Sequence, residues 1–324
     1  MNVLTQPLAH KLIDLACRAP SVHNTQPWRW RINSDGSIEL WADRDRQLRV
    51  ADPEGRNLAI SCGAALHHFV VAGRAMGVTP KVDLTPSPDD PDLLACIQVE
   101  QGIPSRDAAD VLDAIKRRRT DRRRFTSWPV PDSRLTHLTQ AAVGWGAFAI
   151  PILEASARFR CELLLTRAWV AQQADERFVQ EQQEWIDRSA VDGVPLSHSA
   201  TRARGSATYR NNRFASGSTG ESWEALLESS DGLITICTPL DDQRAWLASG
   251  QALSALWLRA TRNELSLVPL SQVVEVPETR SALYYDSFAG MAHAQILLRI
   301  GWQEIGRADL PRSPRRPVND VLLP

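Results

Sequence analysis

Residues 58–80 read LAISCGAALHHFVVAGRAMGVTP, and residues 244–269 read RAWLASGQALSALWLRATRNELSLVP. Shifted by the 187 positions that separate Gly63 from Gly250, Ala65-Leu66 falls on Ala252-Leu253 and Gly73 on Ala260. The first stretch is apolar on several sides, which predicts a buried helix rather than a surface one. Glycine at matched positions predicts two helices whose backbones come close. Each stretch precedes an apolar strand candidate, LLACIQVE at 93–100 and AQILLRIGW at 294–302. A matched helix followed by a matched strand argues for two related halves in one chain.

Working outward, Leu8, Leu12, Leu15 and Ala16 stand at helical spacing, with Pro7 acceptable in the first turn. WRWRI (28–32) and SIELWAD (37–43) alternate as two strands around the turn Ser34-Asp35-Gly36. DSRLTHLTQAAVGWGAFAIPIL (132–153) mirrors that opening helix, loop and strand in the second half. Residues 158–186 predict a long helix or a bent pair, and the polar, aperiodic 193–220 follows. A loop of that length suits a functional cover or a mobile segment. The expected fold is α+β: halves 1–110 and 111–324, each with a mainly antiparallel sheet and packed helices, related by a pseudo-twofold through the helix pair. A lid is expected over 187–222.

The 324 residues suffice for a sizeable core, and a net charge of −1 gives no sign of a polyanionic partner. Of 37 basic residues only Lys11, Lys81 and Lys116 are lysines, so a bound phosphate would meet guanidinium groups. Cys17, Cys62, Cys96, Cys161 and Cys237 are odd in number and scattered, as expected of reduced thiols. The opening residues lack a signal-peptide core, and no uninterrupted apolar run approaches the ~18 residues of a membrane span. A cytoplasmic protein without membrane contact is the expectation.

Two segments stand out chemically. APSVHNTQPWRW (19–30) gathers Pro, Ser, His, Asn and Gln in one loop, whereas its counterpart at 143–149 has lost the Ser, Asn and Gln-Pro-Trp. KRRRTDRRRF (116–125) is a basic run interrupted by Thr120 and Asp121, and PRSPRRP (311–317) supplies a second basic cluster. An isolated charge run is usually a solvated patch or a nucleic-acid tail. Two guanidinium clusters with a hydroxyl also suit one small phosphate. Asp121 suits a role in orienting guanidiniums. His67 and His68 point about 100° apart on a helix and lack a third ligand, so no metal is expected. Ser21 and Ser61 lack a G-x-S-x-G context, and no G-x-G-x-x-G follows a strand. The 11 tryptophans read as core and loop anchors, with Trp28 or Trp30 able to lie near a ligand.

The order helix, APSxxNxQPW loop, strand, RRRTDR and PRRP tail resembles the FMN-dependent nitroreductase superfamily, and most closely its Acg-like mycobacterial branch, across almost the whole chain. That resemblance implies one FMN per chain. Arg118, Arg119 and Thr120 would hold the ribityl phosphate with Arg315 and Arg316, and Arg122 would face the N1/O2 edge of the ring. Pro20, Ser21, His23 and Asn24 would form the wall that a partner subunit gives in other members. Pro269, Leu270 and Ser271 would bring backbone towards N5, with Ser271 and Gln272 in place of the family's usual acidic or glycine residues. No side chain need act as acid or base, because the flavin carries the chemistry. The implied function is an oxidoreductase passing hydride from NAD(P)H to FMN and on to a nitroaromatic or quinone-like acceptor. The alternative is a flavin-storage protein with a covered ring. Because both walls lie in one chain, a monomer is expected.

Overall fold

The computed structural model describes residues 4–123, 125–195, 231–306 and 312–324. Helix α1 (Gln6–Ala16) starts at Thr5, whose hydroxyl accepts from the Leu8 N–H, and it buries Leu12, Ile13 and Leu15. Strands β1 (Trp28–Ile32) and β2 (Ile38–Ala42) follow. Between them Gly36 takes φ +85°, and Asp35 accepts from the Ser37 N–H. Helix α2 (Arg56–Ala75), β3 (Val78–Leu84) and β4 (Leu93–Gln101) complete an antiparallel sheet of order β1-β2-β4-β3. β3 was not evident in the sequence. It is an edge strand, which tolerates Pro80, and its outer positions are polar.

Helices α3 (Ala108–Arg117) and α4 (Asp132–Thr139) lead to β5 (Phe148–Pro151). The stretch read as one helix or two is a bent pair, α5 (Ala155–Ala174) and α6 (Glu176–Glu184), broken at Asp175, which caps α6. Strand β6 (Gly232–Thr238), helix α7 (Gln243–Arg262) and β7 (Leu265–Leu270) come next. Two short helices, α8 (Gln272–Glu275) and α9 (Pro277–Ala282), lead to β8 (His293–Trp302). The second sheet has the order β5-β6-β8-β7 and is also antiparallel. Its order matches the first, and each sheet has one register shift at the same place in the topology, between Leu40 and Trp41 and between Ile236 and Cys237.

Helices α2 and α7 cross at the glycines that matched in sequence. A Cβ on Gly63 would overlap the Leu247 carbonyl oxygen and stand 3.1 Å from Gly250 Cα. A Cβ on Gly250 would overlap the Ile60 carbonyl oxygen and stand 2.9 Å from Ala64 N. The contacts are reciprocal: Leu247 is to Gly250 what Ile60 is to Gly63. One turn on, His67 Nδ1 meets Ser254 Oγ at 2.8 Å across the same offset of 187. His68 Nδ1 meets the Leu15 carbonyl oxygen, so both histidines are held in the core. Burial, with the Arg74 charge, pushes the His67 imidazole down to about 3. α2 has the length and composition of a membrane span, and it is packed inside the protein.

Trp28 and Trp30 are fully buried, with Trp30 stacked on Phe69 at 5.5 Å. The first core also takes in Ala114 and Ile115 of α3 and Val321 of α10 (Val318–Val321). The chain's end thus crosses back: Leu322 forms a parallel bridge with Trp30, and the Leu323 N–H donates to the Trp30 carbonyl. The five cysteines form no disulfide. Of the expected lid, 187–195 is described, and 196–222 lies outside the described residues.

Candidate functional site

After α1 the chain enters the loop that leads to β1, where His23, Asn24 and Gln26 take φ of +46°, +57° and +51°. Left-handed backbone costs non-glycine residues free energy and persists only where the surroundings over-determine it. Here they do. The Ser21 hydroxyl accepts from the Gln26 N–H at 3.0 Å, and Ser61 of α2 accepts from the Val22 N–H at 3.2 Å. Asn24 Nδ2 donates to the Gly193 and Pro314 carbonyls, while its Oδ1 accepts from Arg315. Gln26 Nε2 donates to the Val191 carbonyl, and its Oε1 accepts from the Arg316 N–H. The Ser, Asn and Gln that a plain turn would not need are spent on holding this loop against the 191–193 segment and the C-terminal tail.

The loop is one wall of a cleft between the halves. The basic end is lined by Arg18, Lys116, Arg118, Arg119, Arg122, Arg312 and Arg315, with Ser21, Asn24 and Thr120 among them and no carboxylate among the described residues, and spans about 640 Å³ including its mouth. Arg118 is the most telling of these. It is 5% exposed, lies with its guanidinium 4.6 Å from the Trp257 ring centre, and donates from Nη2 to the Arg18 carbonyl. Its Nε and Nη1 are buried without a hydrogen-bond partner among the described residues. Burial pulls its pKa well below the usual arginine value, and Arg315 and Arg119 add to that. A buried cation with two idle donors and like charges around it is a preformed anion site. Arg315 plays a different part. Its guanidinium donates to Asn24 Oδ1 and to the Arg18, Ala19 and Pro314 carbonyls, so it fastens the wall loop as well as lining the cleft.

The other end, about 770 Å³ with its mouth, is more apolar. Its floor is Ile60, Leu253, Trp257 and Ile296, and its rim carries His23, Asn57, Ser61, Pro269, Leu270, Ser271 and Gln272. Pro20, Ser21, Thr120 and Arg122 line both ends, which makes them one cleft, charged at one end and more apolar at the other. Asn57 is held by Glu275, whose Oε1 accepts from its Nδ2 at 2.8 Å while Gln172 donates to Oε2.

Beneath Asn57, Asp52 caps α2, accepting from the Asn57 and Leu58 N–H groups at 3.0 and 2.8 Å. Burial pushes the Asp52 carboxyl up to about 7 against those two bonds, with Glu275 adding and Arg56 opposing. The native state therefore binds this proton more tightly than the unfolded chain. The resulting stability is complete below about pH 4 and is lost as pH rises through about 7, a change on the order of 2–4 kcal/mol. Asp52→Asn keeps an acceptor for the cap and is expected to flatten this decline in urea midpoints measured from pH 5 to pH 8. An equal decline in the variant would assign the pH dependence to another group.

Of the expected residues, Pro20, Ser21, His23, Asn24, Arg118, Arg119, Thr120, Arg122, Pro269, Leu270, Ser271 and Arg315 line the cleft. Arg316 does not. Its Nη1 donates to Asp43 and the Gln26 carbonyl and its Nη2 to the Asp320 carbonyl, so it ties the tail to the first half behind the wall loop. Side chains of neighbouring residues in extended chain point to opposite sides. Asp121 binds Arg123 through the backbone N–H, Nε and Nη2. The aromatic residue at the cleft is Trp257, not Trp28 or Trp30. Sequence reasoning also missed Arg18 and Asn57. A helix's last turn or N-terminus next to the loop was the available signal, but only packing shows which face turns inwards.

Fold and cleft together define a two-sheet α+β protein with a cluster of guanidinium groups joined to a more apolar slot. A comparison with protein-family models finds no match. The Mycobacterium tuberculosis protein named "Putative NAD(P)H nitroreductase Rv3131" is 36% identical over 96% of this chain and 90% of its own length. "Putative NAD(P)H nitroreductase acg" from the same organism is 30% identical over 99% of this chain and 97% of its own. The chain belongs to this family of nitroreductase-like proteins. A solved nitroreductase with bound FMN from Bacteroides fragilis is 15% identical, with a TM-score of 0.42 over 63% of this chain and 94% of that one.

Proposed function

We propose that the cleft binds one FMN and that the protein is an NAD(P)H-dependent flavin oxidoreductase of nitroreductase type. The observation that carries this reading is the buried, half-partnered Arg118 guanidinium, which joins the basic end to the apolar slot through Trp257. Arg118, Arg119, Thr120 and Arg315 would hold the phosphate. Pro20, Ser21 and Asn24 would form one wall, and Pro269, Leu270 and Ser271 would border the ring, with His23 at its rim. Arg122, at the junction, would balance negative charge that grows on the ring when it is reduced. Bound FMN supplies two-electron chemistry, taking hydride from a nicotinamide and passing electrons to a nitroaromatic or quinone-like acceptor. The protein's part is to bind and orient the ring, to lend positive charge and to limit water.

The matched sheet orders and the reciprocal Gly63–Gly250 contacts support reading the chain as an internal pseudo-dimer, with halves 1–110 and 111–324. One half gives the wall loop and the other the basic residues, so the site would be complete within a monomer. Val194, which follows α6, lines the basic end and favours a second reading, flavin storage under a cover.

Arg118→Ala is expected to weaken FMN binding roughly 10- to 100-fold by flavin fluorescence titration, since charge-assisted hydrogen bonds are worth about 1.5–3 kcal/mol. Unchanged affinity would refute the phosphate assignment. Anaerobic bleaching of the loaded protein by NADPH or NADH supports the reductase, whereas bleaching by dithionite alone supports storage.

A further inference from the structure

The α2–α7 crossing has two sides, and a second recess lies opposite the cleft. At the same offset of 187, Val70 stands for Trp257, Leu84 for Ser271, Arg244 for Asn57 and Ala248 for Ser61, and all four line it. It is therefore the counterpart of the apolar slot, about 1140 Å³ with its mouth. Among the described residues its lining carries the two arginines Arg74 and Arg244 and no basic run like Arg118–Arg122.

Its polar groups have other properties. Arg74 is exposed, lies 5.8 Å from the Trp145 ring centre, and pairs with no carboxylate among the described residues. Arg244 uses only Nη1, which donates to the Leu84 carbonyl at 2.7 Å. Gln251 lines the recess at 5% exposure, and its side-chain amide makes no hydrogen bond among the described residues. The acidic residue in the lining, Asp242, accepts from the Ala245 N–H and caps α7. Thr238 is spent on the Leu240 carbonyl and Gln295. The amide is open to the recess, so a ligand that accepts from it takes the place of water.

We propose that this recess binds a small planar aromatic carboxylate. Its ring would lie against Val70, Leu84 and Ala248, its carboxylate would meet Arg74 and Arg244, and Gln251 would donate to it. Apolar walls with a few placed polar groups are the usual make-up of such sites. Guanidinium pairs favour carboxylates through charge and geometry. The proposal does not depend on what the first cleft holds.

The test is calorimetric titration of the full chain with 2-naphthoate and with the neutral 2-naphthamide of the same shape, with and without saturating FMN. One naphthoate per chain is expected, bound at least 10-fold more tightly than the amide and not displaced by FMN. The double variant Arg74→Ala/Arg244→Ala, both at exposed positions, should lose at least 10-fold for naphthoate and little for naphthamide. Its FMN affinity should match wild type. Ala248→Phe should fill the slot and abolish both, with its melting curve read alongside. No binding, equal affinity for the two probes, displacement by FMN, or indifference to the arginine variants would overturn the proposal. Failure of the wild type to bind FMN would refute the flavin reading and leave this comparison intact.

Discussion

Gly250→Ala is expected to destabilise the protein by roughly 3 kcal/mol, the upper range for an overpacked core. In a solvent-facing helix the same exchange stabilises by about 1 kcal/mol, because alanine is the better helix former. The sign is therefore diagnostic. The methyl group would overlap the Ile60 carbonyl oxygen, and a backbone carbonyl inside a helix cannot swing aside as a side chain can. The helices would have to move apart, taking with them the His67–Ser254 contact and the floor of the cleft, where Ile60 and Leu253 both sit. Gly63→Ala meets Leu247 in the same way and should cost a similar amount. Thermal melting of the two variants gives the answer: a higher midpoint in either would refute the close crossing.

Asp241→Ala is expected to cost about 1–3 kcal/mol, the range for leaving a buried donor short of an acceptor, because Arg56 is buried while Asp241 is partly open to water. Arg56, at the start of α2, has a side chain only 4% exposed and grips Asp241 with both Nη1 and Nη2, at 2.5 and 2.7 Å. Nη1 also donates to Gln295 of β8, and the guanidinium lies 5.0 Å from the Trp246 ring centre. Without Asp241 the guanidinium keeps Gln295 but loses its charged acceptor. Burial alone would raise the Asp241 carboxyl, but the Arg56 bonds and charge outweigh it and hold the group far below the usual carboxylate range. The pair therefore stabilises the protein above the unfolded pKa and loses its contribution only in strong acid, opposite in sense to Asp52. Replacing both partners, Arg56→Met with Asp241→Leu, should recover most of the lost urea midpoint. If the double variant were no better than Asp241→Ala, the loss would lie in something other than the stranded charge.

The helix pair was legible in the sequence because close packing forces glycine at the crossing, and Gly63 and Gly250 are visible as letters. The wall loop was legible for a similar reason: left-handed backbone at His23, Asn24 and Gln26 requires side chains that bond back to the chain, and those are Ser21, Asn24 and Gln26 themselves. What stayed hidden depends on direction in space. Arg315 and Arg316 are adjacent letters of one type, yet one lines the cleft and the other faces Asp43. Trp257 looked like any core tryptophan until Arg118 was seen on its face. The second recess was invisible because its residues, Val70, Leu84 and Ala248, are ordinary apolar ones gathered from three separate elements.

The tail's return has a consequence for the order of events in the cell. Arg315 fastens the loop at Asn24, and Leu322 and Leu323 dock on Trp30, yet a ribosome adds Arg315 291 residues after Asn24. A nascent chain can form the first sheet and bury its core early, but the cleft's near wall stays unfastened until the segment from residue 312 has emerged. Loading of the proposed flavin would wait for that segment, and a chain truncated before residue 312 would be folded in large part and empty.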